Sequence, residues 1–168
     1  MKKNIITALI AAFILQLCVP LYMIWEKYDT LRTGEEVKIK VEPLDPYDAF
    51  RGRYVSLWYD IDLEYEERQG RYGILETGED GFSVVKSVSK EKPENGLYLM
   101  GKDDGYFNIP LDRYYMEETL APKAEEAMSG EVEAYITVRI KGDKSVISGL
   151  YAEGMPIEEY LKKDFSAE

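Results

Sequence analysis

The first 25 residues constrain the fold more than any other stretch of the chain. The run from Asn4 to Trp25 contains 22 residues and no charged side chain. As a helix rising about 1.5 Å per residue it would be about 33 Å long, close to the thickness of a bilayer's hydrocarbon core. Tyr22 and Trp25 lie at its end, where membrane helices carry interfacial aromatic residues. We therefore predict that residues 4–25 form a transmembrane helix that contacts the lipid bilayer.

Two cleaved alternatives fit this run less well than an uncleaved anchor. A signal peptide has a shorter apolar stretch with small residues at its cleavage site, but Ala8, Ala11 and Ala12 lie inside the run. A lipoprotein site has a small residue before its cysteine, whereas Leu17 precedes Cys18. The uncleaved, single-pass anchor is therefore the better interpretation.

The charges at the N-terminus predict the orientation of this anchor. Lys2 and Lys3 precede the run, and positive residues favour the cytoplasmic side. The N-terminus is then cytoplasmic and the remaining chain extracytoplasmic, at the cell membrane. We predict an anchor at residues 1–25, a polar juxtamembrane linker at 26–35, a β domain at 36–163 and a tail at 164–168.

Composition argues against several classes of function. The chain has a net charge of −11 and no histidine. An acidic chain lacks the basic stripe that nucleic acid requires, and a histidine-ligated metal site has no ligand available. Cys18 is the one cysteine, so an internal disulfide framework is excluded. We expect no nucleic-acid partner, no metal and no cofactor.

Beyond the anchor, alternating apolar and polar residues predict short strands. Residues 131–140 alternate most clearly, with Tyr135 and Thr137 predicted to point outward, and a turn at 141–144 leads into a returning strand at 145–152. Other predicted strands cover residues 36–42, 53–63, 72–77, 82–89 and 96–102. Short helices are predicted at 46–50, 122–128 and, as an alternative to a frayed strand, 156–163. The predicted fold is mainly β: the transmembrane helix followed by one antiparallel β sandwich or barrel-like domain with two or three short helices.

The stretch from Asp45 to Ile61 carries the densest mixture of Arg, Asp and Tyr. Asp45 followed by Pro46 is typical of a helix start, and Gly52 leads into a strand with large side chains on both faces, which we predict to be covered on both sides. Arg51 and Arg53 could form a charged rim that holds a ligand. Alternatively, the two arginines form ion pairs that stabilise the corner between the loop and the strand. We favour this structural interpretation, because clustered charges at turns are mostly solvated.

Several of these residues resemble a known motif. Gly52, Tyr54, Leu57 and Tyr59 match the pattern Gly-Asp-Tyr-x-x-Leu-x-Tyr, preceded by Asp45-Pro46 and Phe50-Arg51. The sequence resembles the GDYXXLXY family of membrane-anchored bacterial proteins. Arg53 stands where the motif has its aspartate, which removes the motif carboxylate from this chain.

A second stretch extends the resemblance. Arg113-Tyr114-Tyr115 is followed by Glu118, and Ser148-Gly149-Leu150 with Gly154 is similar to the family's last strand. The resemblance covers nearly the whole chain and implies a single anchor and an extracytoplasmic domain without an established activity. We hypothesise that the two motif stretches line one cleft. The candidate binding residues are Asp45, Arg51, Arg53, Tyr54, Tyr59, Tyr115 and Glu118.

No motif in the sequence identifies a reaction. It contains neither Gly-x-Ser-x-Gly nor a phosphate-binding loop, and we predict no catalytic residue. A non-catalytic domain that binds a partner at the cell envelope, such as another membrane protein, is the favoured interpretation. The alternative is an envelope hydrolase or small-ligand binder that uses Arg51, Tyr54 and Glu118.

Overall fold

A computed structural model describes residues 2–43, 54–102, 105–128 and 132–164 of the chain. Within these residues, a long helix precedes ten short strands, two further α-helices and one turn of 3-10 helix. The helical turn predicted at 46–50 lies outside the described residues. The strands predicted on either side of it are present, and the second is shorter than expected.

The N-terminal helix, α1, runs without interruption from Lys2 to Thr33 and contains Pro20. Its large apolar side chains are exposed from Ile6 to Tyr28. Within the described part of the chain, no helix is long and apolar enough to cross a membrane. The segment predicted as a juxtamembrane linker, residues 26–35, is helical through Thr33 and continues the same helix.

The strands form three small antiparallel sheets. Their bounds are β1 Glu35–Lys40, β2 Glu42–Pro43, β3 Tyr54–Trp58, β4 Tyr72–Thr77, β5 Ser83–Ser89, β6 Tyr98–Met100, β7 Arg113–Tyr115, β8 Ala134–Lys141, β9 Lys144–Ala152 and β10 Met155–Pro156. The 3-10 turn is Tyr65–Arg68, and the later helices are α2 Ala121–Met128 and α3 Ile157–Asp164.

The sheet orders are β1-β8-β9-β10, β2-β3-β7 and β5-β4-β6. The predicted mainly β, antiparallel class with short helices is confirmed. The barrel alternative is wrong for the described strands, because none of these sheets closes on itself. With only three or four strands in each sheet, none is wide enough to curl round and meet its own edge.

The hairpin of β8 and β9 is the largest strand pair, and the sequence predicted it. Its register runs from Ala134 opposite Ala152 to Lys141 opposite Lys144. Ile136, Val138 and Leu150 point into the core, where they are almost completely buried. Burying side chains of this size stabilises the fold by about 1.5–3 kcal/mol each. The hairpin therefore contributes substantially to the stability of the core.

The predicted outward face of β8 is also covered, which corrects the sequence-based assignment. Tyr135 is buried, with its ring stacked on Tyr151 at 5.0 Å and edge-on to Phe82 at 5.3 Å. Thr137 is buried as well, and its hydroxyl lies 2.9 Å from the donating hydroxyl of Ser148. Tyr151 of β9 and Phe82, which precedes β5, cover Tyr135, and alternation within β8 could not indicate this.

The last two turns of α1 are fixed to this hairpin. Lys141 donates to the Asp29 carboxylate at 2.5 Å, and Lys144 forms an ion pair with Glu26. Thr30, directly after Asp29, is only 1% exposed. The lysine beside Glu26 holds the pKa of that carboxyl below its ordinary value. The helix and the β domain therefore meet through a packed junction.

Gly34 closes this junction where α1 ends. Its N–H donates to the Thr30 carbonyl oxygen at 2.9 Å. A Cβ atom at this position would lie 2.5 Å from that same oxygen and 3.1 Å from the backbone nitrogen of Ile140. Since both neighbours are backbone atoms, neither can rotate away. Only glycine allows the helix end to approach β8 this closely.

Replacement of Gly34 by alanine should therefore destabilise the protein. Forcing one methyl group into a packed site costs about 1–3 kcal/mol, and the thermal unfolding midpoint of the full chain in detergent micelles should fall accordingly. Gly105→Ala is the matched control, because a Cβ at Gly105 meets nothing within 4 Å. Equal midpoints for the two variants would contradict this account of the junction.

Candidate functional site

The two motif stretches predicted from sequence form one sheet. β3 and β7 pair antiparallel, with Tyr54 opposite Tyr115 and Ser56 opposite Arg113. Directly opposed residues on neighbouring strands point to the same face, with their Cβ atoms about 4.5–5.5 Å apart. The first stretch and the second therefore lie side by side, although about 60 residues separate them in sequence.

Alternation along β3 separates a core face from an outer face. Val55 and Leu57 are buried, whereas Trp58 is 56% exposed. The prediction that both faces of this strand are covered is therefore wrong at Trp58. β2 and β7 flank β3 as sheet neighbours and leave the ring of Trp58 in contact with solvent.

On the outer face, the half-buried Tyr54 contacts the exposed Arg113 and Tyr115. The Tyr54 ring lies 5.8 Å from the Tyr115 ring in an edge-on arrangement, and the Arg113 guanidinium carbon lies 4.8 Å from the Tyr54 ring centre. Tyr115 is 68% exposed. A side-chain hydrogen bond with Tyr115 raises the pKa of Arg113, whose guanidinium is a cation at any physiological pH. We call the four residues Tyr54, Trp58, Arg113 and Tyr115 the aromatic face.

Tyr59, which was predicted as a binding residue, is placed in the interior. It is buried, and its hydroxyl donates to the carbonyl oxygen of Leu111. Burial, with the nearby Asp112 carboxylate, raises its pKa strongly. This tyrosine ties the end of the motif strand to the segment that leads into β7. Its role in the fold is structural.

Two glutamates support the sheet from α2 and α3. Ser56 on β3 donates its backbone N–H to the Glu125 carboxylate at 3.4 Å. Tyr114 donates its hydroxyl to the Glu158 carboxylate at 3.0 Å. Burial and the Glu158 charge raise the pKa of Tyr114 to about 12. Both carboxylates thus serve as acceptors within the fold.

The remaining predicted residues have different placements. Glu118 is exposed and follows β7 by three residues. Asp45, Arg51 and Arg53 lie outside the described residues, so the charged-rim and clamped-corner interpretations stay predictions. Among described residues, no group of three or more Asp, Glu, Cys or His side chains could hold a metal ion.

Sequence reasoning missed Arg113 and Trp58 as members of the site. Arg113 was noted as part of the second stretch, and only the register of β3 with β7 places it over Tyr54. Trp58 alternates with the buried Leu57, and that spacing indicated its outward direction but not its exposure.

Comparison with known proteins identifies the family. The family model described as GDYXXLXY protein matches residues 16–150. The chain belongs to the GDYXXLXY protein family. The matched range includes both strands of the aromatic face. Neither the curated proteins nor the solved structures contain a significant match.

The raised pKa of Tyr114 should make the stability of this GDYXXLXY protein fall at high pH. The unfolded state loses the Tyr114 proton near pH 10, whereas the folded state keeps it to about pH 12. The stabilisation is therefore complete below about pH 10 and is lost progressively between about pH 10 and 12. Tyr114→Phe should lack this component when the free energy of unfolding is measured across this range.

Glu158→Gln provides the matched control for this titration. It keeps an acceptor for the Tyr114 hydroxyl and removes the negative charge that helps raise the Tyr114 pKa. The loss of stability should then be complete at a lower pH than in the wild type. A constant difference between wild type and Tyr114→Phe from pH 9 to 12 would contradict the assignment.

Proposed function

We propose that this GDYXXLXY protein is a membrane-anchored, extracytoplasmic binding domain of the cell envelope. Its aromatic face would contact another membrane protein. The contact of Tyr54 with Arg113 and Tyr115 carries the proposal, and the exposed Trp58 lies on the same face of β3. Trp, Tyr and Arg dominate the energetics of protein–protein interfaces because they bury much area at few rotatable bonds.

The uncharged run supports the anchoring part of the proposal. Residues 4–25 contain no charge, and α1 spans all of them as one helix. From Ile6 to Trp25, the large apolar side chains are exposed in the isolated chain. An exposed apolar surface of this kind needs a partner or a lipid phase to cover it. Lys2 and Lys3 favour a cytoplasmic N-terminus.

Three polar side chains near the site form hydrogen bonds within the fold, which supports binding rather than catalysis. The Tyr59 hydroxyl, the Glu125 carboxylate and the Glu158 carboxylate all bond to other parts of the fold. A general acid or base must instead reach a substrate proton. The side chains left exposed on the aromatic face are suited mainly to contact.

One observation favours the alternative of an envelope hydrolase or small-ligand binder. The β3–β7 pairing brings Tyr54 beside the strand that leads to Glu118. Arg51, the third residue of that hypothesis, lies outside the described residues. Under this alternative, Glu118→Gln would abolish ligand turnover or binding while partner contact through Trp58 remained unchanged.

Removal of the aromatic face should abolish partner capture. Trp58→Ala and Tyr115→Ala, tested separately, should each reduce recovery of a specific crosslinked membrane protein by tenfold or more. Hot-spot aromatic residues contribute about 2 kcal/mol or more at interfaces. The measurement is crosslinking in intact membranes followed by affinity purification and quantitative mass spectrometry.

Tyr65→Ala is the matched control for these variants. Tyr65 is 62% exposed, similar to Trp58 and Tyr115, and does not belong to the aromatic face. Its loss should leave recovery unchanged. If all three variants recover the same proteins in the same amounts as the wild type, the aromatic face is not the interface.

Substitution of charged residues into the uncharged run should prevent insertion of α1 into the membrane. Each aspartate at the centre of a membrane helix costs about 2.5–3.5 kcal/mol for insertion, so Ile10→Asp with Ile14→Asp should move the protein out of the membrane fraction. Carbonate-washed membranes measure this distribution. Val84→Asp, which places the same charge at an exposed apolar position on β5, should remain in the membrane. Release of wild-type protein by the wash would contradict the anchoring.

A further inference from the structure

A cleft of about 480 Å³ lies where the end of α1, the segment leading into β7, and β9 come together. Its lining includes two lysines, one arginine and two side chains with a hydroxyl: Lys27, Lys102, Arg113, Tyr115 and Ser145. Tyr114 also lines the cleft, but its hydroxyl donates to Glu158. Arg113 and Tyr115 also belong to the aromatic face. The cleft therefore borders that face and opens beside the helix.

The charge of this cleft is opposite to that of the chain. Among the described residues that line it, Asp112 is the one carboxylate, against three cations. Asp112 accepts from Lys102 at 3.2 Å and lies 4.0 Å from the Arg113 Nε. The described residues that line the cleft therefore carry two more positive than negative charges. The whole chain carries −11.

One wall of the cleft is apolar. Val146 and Ile147 of β9 face it beside Pro110. Cations and hydroxyl groups next to an apolar wall suit an anion that is attached to an apolar body. A phosphate diester with a glycerol backbone has this combination. Arg and Lys both bind phosphate oxygens through charge-assisted hydrogen bonds, which are about twice as strong as neutral ones.

Lys27 connects the cleft to the membrane. It lies two residues beyond Trp25, the last residue of the uncharged run. If α1 spans the bilayer, as proposed above, Lys27 lies at the level of the lipid headgroups. The junction of α1 with the β8–β9 hairpin fixes Lys27 relative to Ser145, because Lys144 pairs with Glu26.

We propose that this cleft binds the phosphate of an anionic phospholipid headgroup. This inference rests on the proposed anchoring, which would supply the headgroup at high local concentration. The acidic domain as a whole is repelled by an anionic surface, so attraction of the usual polybasic kind does not operate. Lys27, Lys102 and Arg113 instead hold one headgroup at one position. The bound lipid fixes the aromatic face relative to the membrane surface.

Titration of the full chain in uncharged detergent micelles tests this proposal. The probe is dihexanoyl phosphatidylglycerol, which is soluble, so the titration does not depend on insertion into a membrane. Two-dimensional 15N–1H spectra should show saturable shifts at Tyr114, Tyr115 and Ser145. Lys27→Gln and Lys102→Gln, made separately, should each weaken binding about tenfold, the effect of losing one charge-assisted hydrogen bond of about 1.4 kcal/mol.

Lys163→Gln removes the same charge from an exposed lysine that does not line the cleft, and it should leave the affinity unchanged. Dihexanoyl phosphatidylcholine should bind at least tenfold more weakly than the glycerol lipid. Inorganic phosphate that binds as tightly as the lipid would overturn the headgroup assignment. Equal affinity for both lipids, or equal affinity of all lysine variants, would overturn the site. Carbonate extraction tests the membrane anchoring, and the lipid titration tests the headgroup site. The failure of one proposal can therefore be distinguished from the failure of the other.

Discussion

The junction between α1 and the β8–β9 hairpin is the contact on which the arrangement of the molecule depends. Two ion pairs, Lys141 with Asp29 and Lys144 with Glu26, flank the buried Thr30, and Gly34 lets the helix end reach β8. Exposed ion pairs contribute little by themselves, typically about 0–1 kcal/mol. The close backbone approach at Gly34 and the buried Thr30 pack the helix end against the hairpin, and the two ion pairs add to this contact.

The cleft lies next to this junction, with Lys27 of α1 and Ser145 of β9 in its lining. The hairpin is central in the sheet order β1-β8-β9-β10, and the early part of β9 forms one wall of the cationic cleft. β7 forms the opposite wall and carries Arg113 and Tyr115 to the aromatic face. A partner on that face and a headgroup in that cleft would share residues. Binding of one would therefore affect the affinity for the other, in both directions.

Local sequence patterns predicted the strands that show a clear alternation and the helices that have a clear start and end. The hairpin at β8 and β9, strand β4 and helix α2 agree with their predicted positions within a few residues. The family also followed from short motifs around Tyr54 and Tyr115. The burial of Tyr135 and the exposure of Trp58 were not predicted, since both depend on what other strands place against them.

The sequence by itself determined the antiparallel β class, the long N-terminal helix and the family, because alternation, an uncharged run and motif spacing are local properties. Only the tertiary structure decided that the two motif stretches pair, that Arg113 stacks on Tyr54, and that Tyr59 is structural. Those facts depend on register between strands distant in sequence. Such a register is set by the packing of the whole core, which no single stretch of residues encodes.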